Sequence, residues 1–186
     1  MRRAALPLVL ALSCGGGPET DPPSAAWSEA FAAEDVGWLL SVWGPSPDEL
    51  YAVGGEPGAG RMMRFDGAAW SEVPLPAGTP LLNWVFGFSS SLAYAVGEGG
   101  TILRYDGADW QTESTPVTED LWGVWGASPD ELWAVGGRGR AAGQATLLRR
   151  DAQGWRAVPV PELERPGVHA FFKVWGTGPD DVRSEE

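Results

Sequence analysis

The stretch "LWGVWGASPDELWAVGG", residues 121–137, decides the fold. It sets three tryptophans among glycines and a Pro-Asp pair. Indole rings at that density need large flat apolar surfaces to cover them. The same elements recur along the chain. Val124-Trp125-Gly126 has counterparts in Val42-Trp43-Gly44, Val85-Phe86-Gly87 and Val174-Trp175-Gly176, roughly 40–50 residues apart. An aromatic-Ala-Val-Gly tetrad follows at Tyr51–Gly54, Tyr94–Gly97 and Trp133–Gly136. Next comes a basic-aromatic-Asp-Gly turn, Arg64-Phe65-Asp66-Gly67 and Arg104-Tyr105-Asp106-Gly107, with Arg150-Asp151-Ala152-Gln153-Gly154 as a looser third form. Trp70, Trp110 and Trp155 close these turns.

The landmarks keep their order in each copy, so the chain repeats. A spacing of this size suits propeller blades and also some helical arrays. Local pattern separates the two. Segments such as "LLSVWG", "ELYAVGG" and "AWSEVPL" are short and β-rich, and turn residues bound them. Beyond residue 15, no stretch holds helical spacing over three turns without a Gly or Pro. The expected fold is therefore all-β: an incomplete β-propeller of about three four-stranded antiparallel blades and part of a fourth. The blades are expected at 38–76, 81–114, 120–161 and, in part, 170–182. Each Asp-Gly pair reads as a tight hairpin with positive φ at both central residues. Trp43, Phe86, Trp125 and Trp175 are expected to fill the wedges between blades. Trp70, Trp110, Trp155, Asp66, Gly67, Asp106 and Gly107 are expected as structural repeat positions.

Both ends of the repeat are informative. "SAAWSE" at 24–29 resembles "GAAWSE" at 67–72, the end of a blade. Residues 24–30 thus read as a stray outer strand that opens a repeat domain over 24–182. At the other end, "FFKVWGTGPDDV" starts a unit whose second strand is expected to be cut as it begins. A truncated or frameshifted member of a longer family, forming an open arc with an unpaired edge, is the expectation.

Residues 1–14, "MRRAALPLVLALSC", have a basic start and a short apolar run. That run suits the core of a secretory signal and is too short to span a bilayer. Cys14, the only cysteine, resembles the lipid-bearing residue of bacterial lipoprotein signals. A plain signal cleaved after "SAA" at 24–26 is the alternative. Residues 15–23 read as a flexible Gly/Pro tether. The expected location is outside the cytoplasm, as an outer-membrane lipoprotein or at the periplasm or cell surface. Membrane contact is expected through the lipid anchor alone.

The 186-residue chain carries a formal charge of -12, which disfavours nucleic-acid partners. Apolar content of 44% suits a globular protein. Lys173 is the only lysine against many arginines, a bias of GC-rich bacterial coding sequences. A lone cysteine leaves the fold to be held by packing.

The run "LWGVWGASPDELWAVGG … LLRRDAQGW" resembles the tandem propeller repeats of secreted bacterial proteins, many of them lipoproteins. It is distantly similar to Asp-box propellers of the sialidase and photosystem-assembly-factor types. Asp106-Gly107-Ala108-Asp109-Trp110 sits where an Asp box would, with its Gly and Trp each one residue early. Sialidase chemistry needs an arginine cluster and a Tyr nucleophile. Here Tyr51, Tyr94 and Tyr105, like Arg64, Arg104 and Arg149, all hold repeat positions. His169 is the only histidine, so no zinc constellation is expected. The Asp48-Glu49, Asp130-Glu131 and Asp180-Asp181 pairs read as solvated turns. No cofactor and no catalytic residue are expected. The favoured reading is a non-enzymatic binding or scaffold module for a protein or glycan. A fragment of a glycan-active hydrolase or lyase, and a non-functional remnant, remain as alternatives.

Overall fold

A computed structural model describes residues 29–31, 35–138, 145–161 and 167–185. Cys14, the tether, residues 24–28 and the Gly-Arg loop at 139–144 lie outside the described residues. The strands below belong to one compact unit, Phe31–Glu186.

Three four-stranded antiparallel sheets and one two-stranded sheet follow each other along the chain. The first holds β1 (Trp38–Ser46), β2 (Glu49–Glu56), β3 (Ala59–Phe65) and β4 (Trp70–Glu72). The second holds β5 (Leu82–Ser89), β6 (Leu92–Gly97), β7 (Ile102–Tyr105) and β8 (Trp110–Glu113). The third holds β9 (Leu121–Ser128), β10 (Glu131–Gly136), β11 (Thr146–Asp151) and β12 (Gly154–Ala157). The last holds β13 (Lys173–Gly178) and β14 (Asp181–Glu185). Strands are adjacent in chain order within every sheet, as short local hairpins dictate.

The first hairpin of each sheet has a two-residue loop, Pro47-Asp48 in sheet 1 and Pro129-Asp130 in sheet 3. A register shift accompanies it at Trp43/Ser46, Gly87/Ser89, Glu131/Leu132 and Gly176/Gly178. Such bulges bend the strand and raise its twist.

The Asp-Gly turns differ from the sequence expectation. Asp66 and Asp106 do not take positive φ; only Gly67 and Gly107 do, at 92° and 97°. The loops are four residues long, between Phe65 and Trp70 and between Tyr105 and Trp110. Asp66 Oδ1 accepts the backbone N–H groups of Ala68 at 3.0 Å and Ala69 at 2.9 Å. Asp106 does the same for Ala108 and Asp109. The carboxylate closes the turn itself, so the aspartate keeps an ordinary backbone conformation.

The second strand of the last sheet also runs further than the sequence suggests. β14 pairs with β13 through Glu185, although Arg183-Ser184-Glu185 has no apolar residue. Backbone pairing needs only N–H and C=O groups, so a polar end does not stop it.

Apolar layers lie between successive sheets. Tyr51, Val53 and Met62 of sheet 1 meet Leu82, Val85, Leu103 and Trp110 of sheet 2. Tyr94, Val96 and Ile102 of sheet 2 meet Leu121, Val124, Leu148 and Trp155 of sheet 3. Val135, Trp133 and Leu147 of sheet 3 meet Phe171, which precedes β13, and Val174 and Val182 of sheet 4. Each fully buried side chain of this size contributes about 1.5–3 kcal/mol, so the layers hold the fold without a disulfide.

Candidate groove beside strand β14

The three layers are built alike, and their differences locate the candidate site. In the first, Tyr51 is 2% exposed and Met62 is fully buried. Tyr105 of β7 and Trp110 of β8 each stand 5.9 Å from the Tyr51 ring. In the second, Tyr94 is 1% exposed and Ile102 fully buried. Trp155 of β12 stands 6.3 Å from the Tyr94 ring, and the Arg150 guanidinium lies over that ring at 5.7 Å. In the third, Trp133 and Leu147 hold the equivalent places on β10 and β11, yet both are only half-buried.

The cause is the two-stranded fourth sheet. In layers one and two, the third and fourth strands of the following sheet supply the outer cover. Among the described residues β14 has no third strand beside it. A groove of about 230 Å³ opens there, walled by Trp133, Val135, Leu147, Pro161, Phe171 and Val182. Val182, Arg183 and Ser184 form its edge. Its chemistry is a strip of apolar side chains beside a strand that, among the described residues, pairs on one side only. Among the described residues the buried Trp133 Nε1 has no hydrogen-bond partner, a feature it shares with Trp110. Arg149 covers one face of Trp133 at 5.3 Å and is itself paired with Glu131 at 2.7 Å.

The other repeat aromatics are placed as follows. Trp43 lies against Gly87 of the next sheet, and Trp125 against Gly176. Phe86 stands 6.5 Å from Trp125. Trp70 packs on Phe65 and Phe31 at 5.5 and 5.4 Å. Trp175 faces away from sheet 3 and is 40% exposed. In the sequence Trp133 stands in the structural tetrad Trp133–Gly136; its signal is that Trp replaces the Tyr of the two earlier copies.

Among the described residues, the ionisable groups pair mostly within their own sheets. Burial pushes Tyr51 up to about 12 and also raises Tyr94. Arg64 is paired with Glu49 at 3.0 Å, and Arg104 lies 4.0 Å from Glu113. These arginines serve separate sheets and do not converge on one point. Among the described residues no three His, Cys, Asp or Glu side chains are placed to hold a metal ion. Lys173 of β13 lies 3.5 Å from the ring centre of Trp84 on β5; burial lowers its pKa, and the Glu185 charge opposes this. A larger depression, about 430 Å³, is lined by Gly60, Arg61, Glu72 and the 73–79 connection. Its exposed walls are mostly polar, and Glu72 of the edge strand β4 is among them.

No protein-family model matches this chain, and no curated protein matches it. Among solved structures it is similar to "YCF48 bound to D1 peptide", at 21% identity and a TM-score of 0.51. The match covers 78% of this chain and 45% of that one. The fold is an incomplete β-propeller. This chain's matched part thus spans under half the length of the propeller it resembles, and its four sheets are the propeller's blades. Blades one to three have four strands, and blade four has two among the described residues.

Proposed function

We propose that this chain is a non-enzymatic binding module whose partner is a protein, taken at the groove beside β14. The half-filled layer between blades three and four carries this reading. Among the described residues it offers apolar contact beside a strand paired on one side only, two elements by which proteins capture extended segments of other proteins. The solved propeller of similar fold is recorded with a peptide bound, which supports the same class of partner. The burial of Tyr51 and Tyr94 and the dispersal of the arginines weigh against glycosidase chemistry.

A photo-crosslinking amino acid at Ser184 tests this in cell-envelope extracts. Capture of a defined protein, lost when the groove is blocked by Trp at Val182, is the expected result. Binding on a glycan array, or hydrolysis of glycoside substrates, with no protein adduct overturns it.

We further propose that the module works outside the cytoplasm, held to a membrane by lipid on Cys14. The basic-apolar-Cys order of residues 1–14 supports this. Metabolic labelling with a fatty acid, abolished by Cys14→Ala, is the expected outcome. Secretion of an unlabelled chain cleaved after Ala26 would replace the anchor with a plain signal.

A further inference from the structure

The first strands β1, β5, β9 and β13 each carry one residue just before the repeat valine: Ser41, Trp84, Gly123 and Lys173. Val42, Val85 and Val124 pair with Ala52, Ala95 and Ala134 of the second strands, so the register makes these positions equivalent. At this position the chain reaches toward the first strand of the next blade. Ser41 Oγ accepts the backbone N–H of Val85 at 3.2 Å. A Cβ on Gly123 would stand 3.2 Å from Val174 N and 3.3 Å from Lys173 Cα.

Trp84 and Lys173 depart from this neighbour-to-neighbour pattern. Strand β9 packs on both β5 and β13. Even so, the Lys173 amine of blade four sits 3.5 Å from the ring centre of Trp84 in blade two. Both side chains are half-buried, and the Trp84 indole also packs against the apolar layer between blades two and three. An ammonium on an indole face is attracted by the ring quadrupole, more strongly where water is partly excluded. Blade three has Gly123 at the equivalent position, so it sets no side chain there between the two. Glu185 pairs in register with Lys173 and places the opposite charge on the same sheet.

We propose that Trp84, Gly123 and Lys173 form a clasp that ties blade four to blade two past blade three and fixes the angle through which the blades turn. The three apolar layers each join neighbouring blades, and apolar contact is non-directional. A contact that skips a blade constrains two junctions at once. Gly123 lets β13 come close to β9, and the lysine stem carries the charge on to the indole.

The distance between blades two and four tests this. Nitroxides are placed by Ser90→Cys and Asp180→Cys, in a chain whose native cysteine is replaced by Cys14→Ser, and the separation is read by pulsed electron paramagnetic resonance. Both labelled residues are exposed, in the first hairpin of their blades. Lys173→Met keeps a long apolar side chain and removes the charge. It is expected to broaden or shift the distance distribution, and to speed amide exchange in β13 about fivefold or more, the scale of a half-buried cation–π contact. Trp84→Leu is expected to do the same, and the double variant to do no more than either change alone. Trp84→Phe, with a weaker ring face, takes its place with a smaller effect if the leucine variant does not fold. Lys173→Arg is expected to restore the narrow distribution, and Glu185→Gln to leave it in place. A distribution unchanged by the loss of either partner, or effects of the two that simply add, overturns the clasp. So does a Glu185→Gln variant that broadens the distribution as far as Lys173→Met, because the lysine would then act within its own sheet.

Discussion

The Trp43 indole lies directly on Gly87, across the junction of blades one and two. Its Cη2, Cζ2 and Cζ3 atoms occupy the space that a Cβ on Gly87 would need. Trp125 repeats the relationship with Gly176, where Cη2 stands 2.7 Å from such a Cβ. Ring and glycine form one unit, in which the absent side chain lets the indole reach the neighbouring backbone. Gly87→Ala is expected to cost about 1–3 kcal/mol through overpacking, read from urea unfolding. Gly178→Ala is the control: nothing lies within 4 Å of its Cβ position, and its effect is expected to be small. Equal losses at both positions would remove the special status of the ring–glycine contact.

Glu113 ties blade two to blade three. Its Oε2 accepts from Trp155 Nε1 at 2.6 Å and Arg150 Nε at 3.1 Å, and its Oε1 accepts from Arg150 Nη2 at 3.2 Å. Glu113→Ala strands an indole N–H and a half-buried guanidinium together. A loss of about 2–3 kcal/mol is expected by chemical denaturation. Glu113→Gln keeps an acceptor for the indole, so a smaller loss is expected. A result in which Gln costs as much as Ala would show that charge, and not the indole bond, governs this junction.

The turn aspartates are expected to contribute to the acid limit. Backbone N–H donors hold Asp66 and Asp106 below the usual carboxylate range, Ala69 and Ala68 for the first and Asp109 and Ala108 for the second. A group depressed in the folded state contributes stability above its unfolded pKa and loses it as pH falls through the folded value. Melting temperature is therefore expected to hold down to about pH 4 and to drop below that. Asp66→Asn with Asp106→Asn should flatten the drop. A double variant with an unchanged acid limb would place the loss on other carboxylates.

Alkaline behaviour follows from the buried phenols. Burial raises Tyr51 to about 12 and raises Tyr94 as well. A raised acid contributes stability that is whole below its unfolded pKa, about 10, and disappears as pH climbs through the folded value. Ultraviolet titration should show Tyr51 ionising last, with unfolding between about pH 10 and 12. Tyr51→Phe removes that alkaline limb in part. Ionisation of all tyrosines together near pH 10, with the chain still folded, would contradict the burial of Tyr51.

The fold was legible because blade chemistry is local. The aromatic-Ala-Val-Gly tetrads, the Pro-Asp and Asp-Gly turns and the closing tryptophans each act over a few residues, and their order alone indicates four sheets of consecutive antiparallel strands. Strand pairing inside a blade joins chain neighbours, so nothing distant had to be known. The turn geometry was less accessible: whether an Asp adopts positive φ or caps the turn with its carboxylate depends on loop length, which repeat landmarks do not fix.

The sequence by itself determined the all-β class and the repeating unit, because period and turn residues encode hairpins directly. The sequence also placed the incomplete unit last; only the tertiary structure decided which side chains that leaves half-buried. Trp133 and Tyr51 hold the same tetrad position, and what separates them among the described residues is the strand of the following blade that covers one and leaves the other half-open. Coverage by a neighbouring sheet is a property of stacking, and no single repeat carries it.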